Sequence, residues 1–204
     1  MPASKKPYQE RRFFNRRETR TVLPPERTVQ VHGGGAQLRE FYEAIDVDYE
    51  RLAFLGFAAT GLRRSELLEV RIPQIDRTNR AIVPGRRSSM KRSFISFYNS
   101  EFEELLDPWL KRRSGRRSDR LFSVCGSSKS VIFMIARKKT GLHITPKALR
   151  LWFSNEMARS GMPDRFIDAF QGRIPRSVLA RHCTDCSLET LKAIYDKAGI
   201  RVLS

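Results

Sequence analysis

At 204 residues and 40% apolar content, the chain is long enough for one domain with a real core. Its balance of 39 Lys and Arg against 22 Asp and Glu leaves a net +17, more positive charge than a fold needs and what a polyphosphate partner requires. With no apolar run near the ~18 residues of a membrane span, no apolar N-terminal h-region and an odd count of three cysteines, the expectations are no membrane, no secretory signal, no disulfide framework and an intracellular site of action.

Residues 1–33 read as a basic arm, with Lys5-Lys6, Arg11-Arg12 and Arg16-Arg17. Pro24-Pro25 and Gly33-Gly34-Gly35 interrupt regular structure there. The arm is expected to be disordered, either a tether to a DNA backbone or a leader without a specific role. Residues 34–204 are expected to form one domain.

The spacing of Leu38, Phe41, Tyr42 and Ile45 predicts a helix over Ala36–Asp46. Tyr49–Ala59 predicts a second, apolar enough (Leu52, Phe54, Leu55, Phe57) to be buried on most sides. It ends at Thr60-Gly61, and Arg63 follows at once, anchored downstream by Leu67, Leu68 and Val70. Glu66 is placed to pair with Arg63, as a plain salt bridge or as the orienter of a functional cation.

Ala81–Pro84 and Ser93–Tyr98, rich in Ile, Val, Phe and Tyr, predict two strands joined by the polar connection GRRSSMKR. Its charges either act or are a solvent-exposed hairpin tip. Ser100–Lys111 predicts an amphipathic helix, with Ser100 as N-cap and Glu103 completing a capping box. Residues 112–120 are a basic loop, suited to phosphate contact or to a solvated linker. Lys129–Lys139 predicts another helix, with Val131, Ile132 and Ile135 buried.

Thr145 then starts a further helix: it is an N-cap residue, and Pro146 falls at the first helical position. Leu149, Trp152 and Phe153 form its buried stripe, while Lys147, Arg150 and Ser154 lie on another arc, aimed away from the core. Gly161-Met162-Pro163-Asp164 breaks the chain before a second short helix, which ends in Gln171-Gly172-Arg173. The last helix carries Leu188, Leu191, Tyr195 and Ala198 on one stripe, its buried face.

Two stretches in this order carry a resemblance. TGLRRSELLEV (Thr60–Val70) resembles the TGLRxSEL box of the tyrosine recombinases, the integrase family. PKALRLWFSNEMARSG followed by QGRIPRSVLARH resembles that family's second box and its Gly-turn, most like the archaeal and archaeal-virus branch of mobile-element integrases. There Lys often stands for His in the box, and Arg for His in the turn.

The resemblance implies a mainly α catalytic domain with a small antiparallel β-hairpin or sheet, wrapped on one face of double-stranded DNA. It implies no metal and no cofactor. A tyrosine hydroxyl attacks the scissile phosphate, a 3′-phosphotyrosyl bond forms, and the 5′ hydroxyl leaves and later attacks a partner strand. Fixed cations are the main catalytic device for such a transition state. By resemblance Arg63 and Arg150 clamp the phosphate, and Lys147 and Arg173 add charge and hydrogen bonds. Lys91, the only lysine of the hairpin, protonates the leaving oxygen, with Arg86 a second candidate. Arg64, Arg86, Arg87, Arg92 and Arg181 are expected on the DNA backbone. Family members act as dimers or tetramers on DNA, and a helical core-binding domain that usually precedes the catalytic domain is expected to be absent.

The tail departs from the pattern. Where the branch has Arg-His-Tyr, this chain has Arg181-His182-Cys183, and the only later tyrosine is Tyr195. Three readings stay open. Cys183 replaces the nucleophile and leaves a DNA-binding protein with little activity; a Cys183 thiolate attacks phosphorus; or Tyr195 reaches the site. Tyr195 lies on a buried stripe and later than the pattern asks, which favours a packing role. Cys183 and Cys186 give half of a tetrahedral zinc set, with His182 and either His143 or Cys125 on offer as further ligands. Two other classes compete with the recombinase: a non-catalytic DNA-binding module of recombinase descent, and a basic RNA-binding protein, which explains the charge but not the boxes.

Overall fold

The computed structural model describes residues 34–85, 95–113, 119–122, 132–173 and 187–203. The basic arm, residues 86–94 of the hairpin and residues 174–186 lie outside them. Eight helices are described: α1 Gly34–Glu43, α2 Asp48–Thr60, α3 Arg64–Leu68, α4 Ser100–Arg113, α5 Met134–Thr140, α6 Pro146–Arg159, α7 Asp164–Phe170 and α8 Leu188–Ala198. Three two-residue strands, β1 Ile75–Asp76, β2 Ala81–Ile82 and β3 Ser96–Phe97, pair antiparallel in that order. Ile75 faces Ile82, and Ala81 faces both Asp76 and Phe97. No described helix is long and apolar enough to cross a membrane.

The centre is α2. Every residue from Leu52 to Thr60 is buried, which requires partners all round the helix. Its first turn carries Asp48 and Glu50, favourable at the positive end of the helix dipole. Phe54 and Phe57 enter an aromatic cluster with Phe41 of α1 and Phe133, with ring centroids 5.7–6.3 Å apart. At Gly56 the neighbours come close: a Cβ there would stand 2.9 Å from Leu67 and 3.0 Å from Phe102. A second aromatic cluster joins Phe97 of β3, Phe153 of α6, Phe170 of α7 and Tyr195 of α8.

Several sequence expectations need correction. β1 joins the expected hairpin as a third strand. It turns into β2 through Asp76, whose carboxylate accepts from the Asn79 backbone at 3.0 Å and from its amide at 2.6 Å. The cap of α4 is Asn99, not Ser100: the Asn99 side-chain Oδ1 accepts from Phe102 N at 3.1 Å. Glu103 instead pairs with Arg80 at 2.7 Å. Ile135 is 49% exposed rather than buried. Phe133 adopts a left-handed conformation (φ 68) and enters the core ahead of the helix. That shift rotates α5 so that Ala136 faces inward.

The C-terminal end packs on the body. The Glu101 carboxylate accepts from Val202 N at 2.7 Å and Leu203 N at 3.0 Å, and Arg39 Nε donates to Leu203 O at 2.8 Å.

Candidate functional site

α2 ends at Gly61, in the left-handed region (φ 62), where glycine carries no Cβ penalty. The space is closed as well: a Cβ on Gly61 would lie 2.3 Å from Phe153 Cδ1. This tight crossing of α2 and α6 delivers Arg63 and Arg150 to one place. Two residues past the glycine, Arg63 opens α3. The Glu66 carboxylate accepts from Arg63 N at 2.8 Å and from Arg63 Nη1 at 2.7 Å. The salt bridge read as one alternative is therefore present. It leaves Arg63 Nη2 free to reach Gly172 O at 3.0 Å.

Arg150 was expected to aim away from the core, and here the structure differs. Its guanidinium is half-buried, donating from Nη1 to Gly61 O and from Nη2 to Gln171 O, both at 2.6 Å. The cation lies near the negative end of the α2 dipole, a favourable place for it. Gln171 returns the contact, its Nε2 donating to Arg150 O at 2.8 Å. Arg150 and Gln171 thus hold each other twice. Gln171 is fully buried, and its Oε1 has no partner among the described residues. The sequence showed Gln171 only as a turn letter; its burial and its contact with Arg150 are properties of the fold.

Arg173 follows at once, 48% exposed, its backbone N on Asp168 O at 2.8 Å and its Nη1 3.6 Å from Asp168 Oδ1. Burial first, then the charges of Arg63 and Arg173, push Arg150 down to about 10, against the partial compensation of Glu66. Three arginines from three segments therefore feel one another. Each guanidinium has five N–H donors, and Arg63 and Arg150 each commit two nitrogens to protein acceptors. The remaining donors form a fixed, partly desolvated cationic surface, suited to a tetrahedral anion such as a phosphodiester.

Lys147 is exposed on the first turn of α6, and Arg64 is exposed at the start of α3. Tyr195 is buried. Its hydroxyl donates to Ala59 O at 2.9 Å, and burial holds its pKa well above the usual tyrosine range. Lys91, Arg86, Arg87, Arg92, Arg181 and Cys183 lie outside the described residues. No group of three or more His, Cys, Asp or Glu with metal-holding geometry occurs among the described residues.

A mainly helical domain with a short three-stranded antiparallel sheet, built around such a crossing, is the fold of a tyrosine-recombinase catalytic domain. A XerA recombinase is similar over 88% of this chain and 68% of its own, with 25% identity and a TM-score of 0.60. The XerH site-specific recombinase, in a pre-cleavage complex with its difH substrate, matches over 83% of this chain and 50% of its own, at 18% identity and a TM-score of 0.56. The Tn1549 transposon integrase, in complex with circular intermediate DNA, matches over 78% and 62%, at 18% and 0.54. Residues 35–173 match the profile of the phage integrase family, and the chain belongs to that family. Among curated proteins none matches it.

Proposed function

We propose that the chain is the catalytic domain of a site-specific DNA recombinase that cleaves and rejoins strands at an attachment site. Arg63 and Arg150 clamp the scissile phosphate, Arg173 and Lys147 add positive charge, and Lys91 donates the proton to the departing 5′ oxygen. Cys183 holds the nucleophile position. Attack there forms a bond from the nucleophile to phosphorus and breaks the bond to the 5′ oxygen. Arg64, Arg86, Arg87, Arg92 and Arg181 hold the duplex backbone. Residues 34–204 are the catalytic unit and 1–33 a basic arm. The protein works inside the cell, on nucleoid DNA, as a dimer or tetramer, within an archaeal-type viral or mobile element. The observation that carries this reading is the convergence of Arg63 and Arg150 on the adjacent carbonyls of Gly172 and Gln171.

One observation favours a second reading, a DNA-binding module without its own nucleophile. The only tyrosine beyond the Gly172 turn is Tyr195, and its hydroxyl is buried on a main-chain carbonyl.

A trapping experiment separates the two. A randomised pool of nicked duplexes is incubated with wild type, Cys183→Tyr, Cys183→Ala and Tyr195→Phe, then resolved on a denaturing gel. Mass spectrometry maps any adduct. A wild-type adduct on Cys183, or one that only Cys183→Tyr forms, supports a competent recombinase scaffold. Binding with no adduct in any variant leaves the module.

A further inference from the structure

Three consecutive carbonyls at the end of α2 are each taken by a side chain from a different element. Tyr195 of α8 donates to Ala59 O at 2.9 Å, Ser96 of β3 to Thr60 O at 2.6 Å, and Arg150 of α6 to Gly61 O at 2.6 Å. The last carbonyls of a helix have no partner within it and must find one elsewhere. Thr60 locks the same turn from inside, its Oγ1 donating to Gly56 O at 2.6 Å and accepting from Leu62 N at 3.2 Å. The end of this helix is therefore held by side chains of α8, β3 and α6, and it leads directly into Arg63.

The Tyr195 ring does more than fill space. It lies 5.6 Å from the Phe97 ring and 6.1 Å from the Phe170 ring. Phe97 directly follows Ser96, and Phe170 directly precedes Gln171. One side chain thus touches the α2 end through its hydroxyl, β3 through Phe97, and the residue leading into the Gln171-Gly172 turn through Phe170; the first and last of these segments carry the two acceptors of Arg150.

We infer that Tyr195, together with Ser96, is a positioning residue for the Arg63–Arg150 pair, so that docking of α8 sets the geometry of the arginine clamp. The arginines answer to α8 because Gly61 O and Gln171 O, the two acceptors of Arg150, both sit on segments that Tyr195 holds. The catalytic meaning of this coupling rests on the phosphate-clamp reading above; the coupling itself does not.

Tyr195→Phe keeps both ring contacts and removes only the hydroxyl. In ¹⁵N-arginine-labelled full-length protein, the guanidinium signals of Arg150 are identified by their loss in Arg150→Ala. In wild type, its Nη protons are expected to be resolved and slow to exchange, because carbonyls hold them. Tyr195→Phe is expected to broaden or shift these signals toward those of a free guanidinium while the backbone amide spectrum stays dispersed. Unmoved Arg150 signals alongside a lower melting temperature would make Tyr195 an ordinary core residue and overturn the inference. Should Tyr195→Phe not fold, Ser96→Ala, which unpairs the neighbouring Thr60 carbonyl, is read on the same signals and by the same criterion. In the trapping assay, whichever parent forms an adduct should form it at least about tenfold more slowly with Tyr195→Phe, the scale of loss from a misplaced reacting group. An adduct mapped to Tyr195 itself overturns the positioning role. Arg150 signals that respond to Tyr195→Phe in a protein that never forms an adduct uphold the inference and sink the recombinase reading alone.

Discussion

Arg150 is a cation fastened by two main-chain acceptors, and that makes it different from a lysine at the same place. Its planar fork reaches Gly61 O and Gln171 O at once, whereas one ammonium presents its donors from a point. Arg150→Lys should therefore keep the charge and lose the function: cleavage should fall by at least about a hundredfold, the usual cost of one oriented donor at a transition-state oxygen. DNA affinity, measured by fluorescence anisotropy, should change little. An anion should stabilise the wild type by mass action, about 2.7 kcal/mol at a hundred times its dissociation constant. Thermal melts in rising sulfate should show that gain shrinking sharply in Arg150→Ala. The pH dependence follows from the sign of the shift. Burial and two cationic neighbours bring Arg150 down to about 10, below its unfolded value. The cost of holding this charge is thus present at all neutral pH and is relieved only as pH rises through that region toward the unfolded value. Anion binding should accordingly be flat near neutrality and weaken from pH about 10, measured by the same sulfate-dependent melts. Arg63 and Arg150 were legible in the sequence because each stands in a recognisable box. Gln171 was not, because its role is a contact with Arg150 O across the fold, and no local periodicity encodes it.

Helix starts were legible where a cap and a proline agree, as at α6. Thr145 Oγ1 accepts from Ala148 N at 3.2 Å, and Pro146 opens the helix. Thr145→Ala should cost about 1 kcal/mol, measured by urea unfolding. Starts were misread where a neighbour competes. Asn99 and Ser100 are both capping types, and the tertiary position of Glu103, paired to Arg80, decided for Asn99. Strand β1 was illegible for another reason: two residues show no alternation, and only pairing with β2 defines it. The element on which the site depends most is the α2 end. Gly61→Ala would combine a left-handed backbone with a Cβ 2.3 Å from Phe153. The backbone costs about 1–2 kcal/mol and the overpacking about 1–3 kcal/mol. A loss of about 2–5 kcal/mol is expected in urea unfolding, because the two penalties act on one atom. Any folded fraction should still lack the Arg150 anchor, so sulfate should no longer raise its melting temperature.

At the scale of the molecule, the net +17 and the arginine site answer different questions. The fold class was legible because the two boxes resemble those of a family whose catalytic domain is mainly helical, and the helical spacings along the chain agree with it. The centrality of α2 was readable because a helix apolar on every side has to be surrounded. The charge pointed to a polyanionic partner but not its kind, and the two boxes pointed to DNA recombination rather than to a basic RNA-binding protein. These contributions are separable by salt. Cations that only meet the DNA backbone release counterions, and log K falls with log salt by about 0.9 per phosphate neutralised. Lys147 and Arg64 are exposed beside the site. Lys147→Ala and Arg64→Ala should each lower the magnitude of the salt slope by about one and weaken binding evenly across sequences. Arg150 is half-buried and tied to two carbonyls, so its loss should also remove the sulfate-dependent rise in melting temperature, which loss of the exposed Arg64 should leave in place. Salt-series binding titrations beside sulfate melts of the variants decide this. Sulfate stabilisation kept in Arg150→Ala would mean that Arg150 is one more backbone cation and that the convergence at Gln171 and Gly172 has no catalytic meaning. Sulfate stabilisation lost with Arg150 and kept with Arg64 would separate the surface that holds the duplex from the clamp that holds one phosphate.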